Sequence, residues 1–353
     1  MSNRDFNLMQ RAFAEAAKSD WLFTAPNPLV GAIALCGGHV VAYGHHQQFG
    51  QAHAEEMALQ DCPQADELYV TLEPCSSTGG AKKRAACVEL IRKSNVKRVV
   101  IGATDPDPRH AGRAVELLRQ QGIEVELLNC DEQFAAQNLA FLSHLTRKVP
   151  FTLVKWASTA DGFIASSGGK SKWISNAESR AEVHQLRSAS QAIAVAKGTV
   201  VADNPSLTAR DVEHNVLDTK VLIGCASAVD NDFKILQDEM QRLWFDSDAC
   251  SPSWSTDADT FHQQADLVEI WEQLSKQYHL NRILVEGGPR FIHSLIHLGL
   301  VHAIVKYEAP LLFGGGMPAI AADGFDSPQQ AMRLEHELRR GHDGDLRRAW
   351  LIT

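Results

Sequence analysis

A chain of 353 residues exceeds one ordinary domain, and 44% hydrophobic with 22% charged residues is a globular composition with enough apolar surface for two cores. A formal net charge of −9 argues against a protein that grips a nucleic-acid backbone by charge. Met1–Asp5 has no signal-peptide core, no apolar run reaches membrane-spanning length, and seven cysteines fit a reducing cytoplasm better than a disulfide framework, so we expect a cytoplasmic protein with no membrane and no nucleic-acid partner.

In chain order, Phe6, Met9, Phe13 and Ala16 recur at helical spacing over residues 5–18, and Asn27-Pro28 ends that pattern. Residues 29–35 and 40–44, joined at Gly37-Gly38, predict a β-hairpin. His53-Ala54-Glu55 opens a second helix, and the strand ending at Leu72 runs into Glu73-Pro74-Cys75. Helices over 85–93 and 112–121 then alternate with strands over 96–102 and 123–128. This order implies a mixed sheet with helices on both faces, whose ligands lie beyond the carboxyl ends of strands. His53 and Cys75 fall there.

A cysteine in such a chain is more often a small core residue, and a lone histidine is more often structural. The conjunction of His53, Cys75 and Cys87 argues otherwise. One imidazole and two thiolates suit tetrahedral zinc with its fourth position open for water. Glu55, two residues after the histidine, is not needed as a ligand and can move a proton. His-x-Glu with Pro-Cys is the signature of zinc nucleobase deaminases. Cys36, Cys62, Cys130, Cys225 and Cys250 read as packing residues.

A new strand begins at Phe151, and a different set of patterns follows: Thr159-Ala160-Asp161-Gly162, Ser171-Lys172-Trp173, residues 198–205, Glu286-Gly287-Gly288-Pro289 and residues 309–316. No Gly-x-Gly-x-x-Gly follows a strand, so a Rossmann site is not expected. A helix opening at Pro289 would aim its first amides at an anion such as a dinucleotide phosphate. Trp244 to His262 reads as a variable loop.

Pro26-Asn27-Pro28-Leu29-Val30-Gly31, His53-Ala54-Glu55, Val70-Thr71-Leu72-Glu73-Pro74-Cys75 and Asp105-Pro106-Asp107-Pro108, together with the five later patterns, resemble the bifunctional riboflavin biosynthesis (RibD) family. The resemblance implies an α/β protein in two parts. Residues 1–147 would form a cytidine-deaminase-like α/β/α domain, and residues 148–353 a dihydrofolate-reductase-like α/β domain. It implies zinc-dependent deamination of a diamino-hydroxy-phosphoribosylamino-pyrimidine, then NADPH-dependent reduction of its ribosyl group. His53, Cys75 and Cys87 would be the zinc ligands and Glu55 the general acid/base, with Asn27 and His46 at the first substrate. On residues alone, the competing readings are a turn residue before proline for Asn27 and a solvent-facing loop histidine for His46. Ser171, Trp173, Arg187, Asp203, Arg210 and Glu286 would meet the second substrate, and Thr199, Gly287 and Gly288 the cofactor. Arg187 and Arg210 offer forked donors for a phosphate. The family's habit also suggests a homo-oligomer with a small-molecule substrate.

The match departs from the family at two places. Residues 76–86 are longer than the usual loop and lack its His-Gly and Thr-Pro-Pro elements, and Asp107 stands where the family usually has Asn. Lys82-Lys83-Arg84 either replaces a missing basic residue at a phosphate or is a solvated helix start. The same two folds acting on another pyrimidine or pterin-like substrate is therefore the alternative. A nucleic-acid-editing deaminase is disfavoured by the acidic charge and by a Cys–Cys spacing far wider than Cys-x-x-Cys.

Overall fold

The computed structural model describes residues 3–76, 85–224, 226–248, 252–321, 327, 329 and 331–352. The chain divides into two compact units, Met1–Thr146 and Arg147–Thr353.

The first unit runs α1 (Asn3–Ala16), α2 (Trp21–Thr24), β1 (Gly31–Cys36), β2 (His39–His45), α3 (Ala54–Asp61), β3 (Glu67–Leu72), α4 (Cys87–Lys93), β4 (Arg98–Ala103), α5 (Arg113–Gln120), β5 (Glu124–Leu127), α6 (Asp131–Gln137) and α7 (Leu139–Leu145). Its sheet has the order β2-β1-β3-β4-β5. The β1–β2 and β1–β3 pairs are antiparallel, whereas β3–β4 and β4–β5 are parallel. The sheet is thus mixed, as the element order implied. β1 and β3 are buried along almost their whole length, which explains their continuous apolar runs. α1 lays Leu8, Met9, Ala12, Phe13 and Ala16 into the core at helical spacing.

One close approach matters for function. A Cβ added to Gly44 on β2 would stand 2.1 Å from the Ala54 carbonyl oxygen and 2.8 Å from the Ala58 nitrogen. The helix carrying Glu55, with His53 at its head, therefore rests on a strand position that admits only glycine. Gly44→Ala is expected to cost the first unit about 1–3 kcal/mol or more, because backbone must move. Denaturant unfolding checks this, and an unchanged midpoint would contradict it.

The second unit runs β6 (Phe151–Thr159), β7 (Phe163–Ser166), α8 (Ala177–Ser188), β8 (Ala192–Ala196), α9 (Lys197–Asp203), β9 (Thr219–Ile223), β10 (Gln241–Asp246), β11 (Asp259–Gln263), α10 (Leu267–Lys276), β12 (Arg282–Val285), α11 (Pro289–His297), β13 (Ala303–Ala309), β14 (Gly316–Pro318), β15 (Glu335–His342) and β16 (Asp345–Leu351). Nine strands form one sheet, in the order β11-β10-β9-β8-β12-β6-β13-β16-β15. The pairs from β11 to β13 are parallel, and β16 and β15 add antiparallel. This is an α/β domain.

The stretch read as a loop from Trp244 to His262 is a correction. Trp244 and Phe245 are buried in β10, and β11 pairs parallel to it. The Trp244 ring stacks on Phe261 at 5.9 Å, and its indole N–H donates to Asp259 at 2.8 Å. Arg242 closes the pair, donating from Nε to Asp259 at 2.7 Å. Polar residues in this segment satisfy one another inside the fold, so its composition imitates that of a loop. Cys36 also departs from expectation: it is exposed at the end of β1. Cys225 and Cys250 lie outside the described residues.

Candidate functional site

His53 is the N-cap of α3, extended at φ −77° and ψ 164°, and its side chain makes no capping bond. Cys75 follows the end of β3, and Cys87 is the first residue of α4. His53 Nδ1, Cys75 Sγ and Cys87 Sγ all lie within 4.8 Å of one another. Nδ1 is 3.8 Å from the Cys75 sulfur and 3.3 Å from that of Cys87. Tetrahedral zinc, with bonds of about 2.3 Å to sulfur and about 2.0 Å to nitrogen, spaces neighbouring donors by roughly 3.5–3.8 Å. The donor set fits zinc.

Charge points the same way. The Cys87 thiol is pushed well up by its bond with Cys75, then by burial and by Glu55. Burial likewise raises the Glu55 carboxyl, with Cys75 adding to the rise and His53 opposing it. Two sulfurs and a carboxylate thus crowd one imidazole, and a divalent cation relieves the crowding. The Cys87 amide N–H meanwhile donates to the Cys75 sulfur at 3.2 Å.

Asn27 and His46 are brought together beside this cluster. His46 is buried rather than solvent-facing, and its ring lies edge-on to His53 with centroids 5.4 Å apart. His46 Nδ1 meets the Ala52 carbonyl at 2.9 Å, and Nε2 meets Asn27 Nδ2 at 3.1 Å. A carbonyl only accepts, so Nδ1 carries the proton and Nε2 accepts from the Asn27 amide. Asp107 is held by a forked Arg109, with Nε 2.9 Å and Nη2 2.5 Å from its two oxygens. That guanidinium lowers the Asp107 carboxyl to about 2. The Asp107 carboxylate thus has its own counterion in Arg109. Lys82-Lys83-Arg84 lie outside the described residues.

The second unit holds a pocket of about 280 Å³ lined by Lys155, Ser171, Trp173, Arg180, His184, Arg187 and Arg210, among others. Arg187 turns its fork to Glu286, with Nε 2.6 Å and Nη2 3.1 Å from the carboxylate oxygens, and Nη1 donates to the Thr208 carbonyl at 3.0 Å. Lys155 Nζ donates to the same carboxylate at 3.3 Å. Burial opposes ionisation of Glu286, but Arg187 and then Lys155 overcome it and hold the carboxyl far below its usual range. Arg210 stays exposed, with Nη2 3.2 Å from His184 Nε2. Desolvation, Arg187 and Arg210 all lower the His184 pKa. Trp173 is 74% exposed at φ 69°, and the Arg180 guanidinium lies over its ring at 4.4 Å. Asp203 ends α9, where partial desolvation raises its carboxyl against the charges of Lys172 and Lys155.

Thr199 on α9 and Gly288, the N-cap of α11, are neighbours: a Cβ on Gly288 would lie 3.8 Å from Thr199 Oγ1. A Cβ on Gly287 would stand 2.4 Å from Phe291 Cδ1, so local packing alone already asks for glycine there. Lys155, Arg180 and His184 were not singled out from sequence. Their signals were a lone lysine inside the apolar strand β6, and the i, i+4, i+7 spacing of Arg180, His184 and Arg187 on α8.

Comparison with known proteins places these features in context. Residues 2–103 match the family model described as the cytidine and deoxycytidylate deaminase zinc-binding region, and residues 150–343 match the RibD C-terminal domain. The riboflavin biosynthesis protein RibD of Aquifex aeolicus (strain VF5) is 33% identical over 354 residues, covering 97% of each chain. That of Bacillus amyloliquefaciens is 35% identical over 325 residues, 88% of this chain and 87% of its own. Among solved structures, Acinetobacter baumannii RibD (form 1) aligns with a TM-score of 0.77 at 30% identity, covering 99% of both chains. A Thermotoga maritima protein titled diaminohydroxyphosphoribosylaminopyrimidine deaminase/5-amino-6-(5-phosphoribosylamino)uracil reductase aligns with a TM-score of 0.74 at 29% identity, again over 99% of both.

Proposed function

Because this chain belongs to the bifunctional riboflavin biosynthesis (RibD) family, we propose that His53, Cys75 and Cys87 hold its zinc, that Glu55 is the acid and base of a deamination, and that the pocket beside α8 receives the substrate of a reduction. The protein is an enzyme of riboflavin biosynthesis with a deaminase and a reductase activity, using Zn2+ and NADPH. Residues 1–147 carry the deamination of the diaminohydroxyphosphoribosylaminopyrimidine, and residues 148–353 the reduction of 5-amino-6-(5-phosphoribosylamino)uracil.

Zinc, when bound, supplies a water acidic enough to lose its proton near neutral pH. Glu55, buried two residues after His53, takes that proton and delivers it to the leaving amine. Asn27 and His46 orient the pyrimidine: with its Nδ1 proton on Ala52, His46 presents Nε2 toward Asn27 and keeps that amide turned one way. In the second unit NADPH, when bound, supplies the hydride. Thr199, Gly287 and Gly288 shape the α11 N-terminus for the cofactor. Arg210, with Ser171 and Trp173, meets the ribose phosphate at the open side of the pocket. Arg187 acts chiefly through Glu286, which it keeps ionised beside Lys155. Asp203, whose carboxyl is raised by partial burial against the charges of Lys172 and Lys155, orients the opened sugar or gives its proton to the sugar oxygen freed by ring opening. No helix among the described residues is long and apolar enough to cross a membrane. A cytoplasmic homo-oligomer is the proposed state, from cysteine usage and family habit.

The observation that carries the reading is the spacing of His53, Cys75 and Cys87 around one point with Glu55 beside them. Ammonia release and NADPH oxidation on the diaminopyrimidine ribotide test it. A zinc chelator should abolish ammonia release and leave reduction of pre-deaminated substrate intact. Chelator-resistant ammonia release would overturn the metal assignment.

A further inference from the structure

Glu73 is a buried carboxylate for which neither reaction above has a use. Its Oε2 accepts the N–H groups of Asp105 at 3.2 Å and Gly112 at 2.9 Å, and Oε1 accepts that of Ala114 at 2.8 Å. Gly112 is the N-cap of α5 and has no side chain with which to cap it. Glu73, the residue after β3, supplies the missing cap, and its negative charge suits that helix end.

The connection reaches the metal ligands. β3 and β4 are parallel with Leu72 opposite Ala103, and the Glu73 N–H donates to the Ala103 carbonyl at 2.8 Å. Residues 73–75 and 104–106 therefore leave neighbouring strands side by side, at the carboxyl ends where ligands of such sheets lie. The loop then closes on itself. Asp105 Oδ1 accepts the Asp107 N–H at 2.9 Å, and the Asp107 carbonyl accepts those of His110 at 2.8 Å and Ala111 at 3.0 Å. Two residues beyond Glu73, the Cys75 carbonyl accepts the Val88 N–H at 3.2 Å and so ties α4. One short segment thus holds the 105–112 loop with one side chain and a metal ligand with another.

We propose that Glu73 is a positioning residue of the deaminase site, fixing the Asp105–Gly112 loop as a wall beside Cys75; this rests on the deaminase reading above. A carboxylate suits the task because it has acceptor capacity on both oxygens and no donor. Gln would keep one oxygen and turn an NH2 group against an N–H. Asp keeps the charge near α5 but is a methylene too short to reach all three amides.

The test uses full-length Glu73→Gln and Glu73→Asp. Amide hydrogen exchange at Asp105, Gly112 and Ala114 should speed up about tenfold or more in Glu73→Gln. The KM for deamination should rise about tenfold, with kcat changed less, and Glu73→Asp should fall between the variant and wild type. Zinc per chain should stay constant, and so should reduction of pre-deaminated substrate. Faster exchange with an unmoved KM sinks the proposal. So does loss of zinc in both variants, which would make Glu73 a support of the ligands alone. Wild-type protein that releases no ammonia would instead sink the deaminase reading, and the proposal with it.

Discussion

A Glu55→Gln protein is expected to release ammonia roughly 10³-fold more slowly than the wild-type chain, since general acid–base catalysis is worth about 10²–10⁴. It should bind as much zinc, because Glu55 is not among the three donors that converge. It should also reduce pre-deaminated substrate at the wild-type rate, because that pocket is lined by residues of the second unit. The stability of the first unit separates catalysis from architecture. Burial already disfavours the charged form of Glu55, so a neutral isostere removes a cost and the thermal midpoint should hold or rise. Ammonia release within tenfold of wild type would remove Glu55 from its role. A lowered midpoint with lost zinc would make it a structural residue.

The legible parts of this site were those written in short spacings. His53 and Glu55 share one helix start, and Cys75 follows the strand that ends at Leu72. A local pattern therefore placed all of them on the correct side of the sheet. Glu73 lies inside the same motif but its role is not legible there, because its partners are 32 to 41 residues away along the chain. Nothing local distinguishes a carboxylate that caps a distant helix from one that faces water. The loop at Gly112 carried a faint clue, a helix start without a capping side chain.

The second unit shows the same limit in another form. The resemblance gives Arg187 to the second substrate, and its residue type offers a fork to a phosphate; in the structure that fork meets Glu286 and Thr208. Residue type names the donors, and only packing decides what they meet. The segment around Trp244 failed for a related reason. Its Asp259 and Arg242 form a buried ion pair, with side chains 0% and 2% exposed, that looks in sequence like loop polarity. Lys155 was hidden because a strand with buried faces is expected to be apolar throughout, so one lysine reads as an exception rather than as a partner of Glu286.

Glu286→Gln should produce the second large effect, this time on the second unit alone. Arg187 and Lys155, with side chains 15% and 16% exposed, would lose the carboxylate that balances them. Removing one partner of a buried pair costs about 3–5 kcal/mol, and the retained amide oxygen should keep this case toward the lower end. NADPH oxidation should fall about 100-fold, because Lys155 and Arg187 would repel each other out of position. Ammonia release should be untouched. The pH dependence gives a second readout with a definite sign. The folded pKa of Glu286 lies below its ordinary value, so its stabilisation is fully present above about pH 4.3, the unfolded value, and is lost as the pH falls toward the folded one. The stability gap between wild type and variant should therefore be flat from neutral pH down to about 5 and narrow below about 4. Urea midpoints of the second unit across that range measure it. A gap that widens on acidification would mean that the carboxylate is not held ionised by Arg187 and Lys155, and the account of this pocket would fall with it.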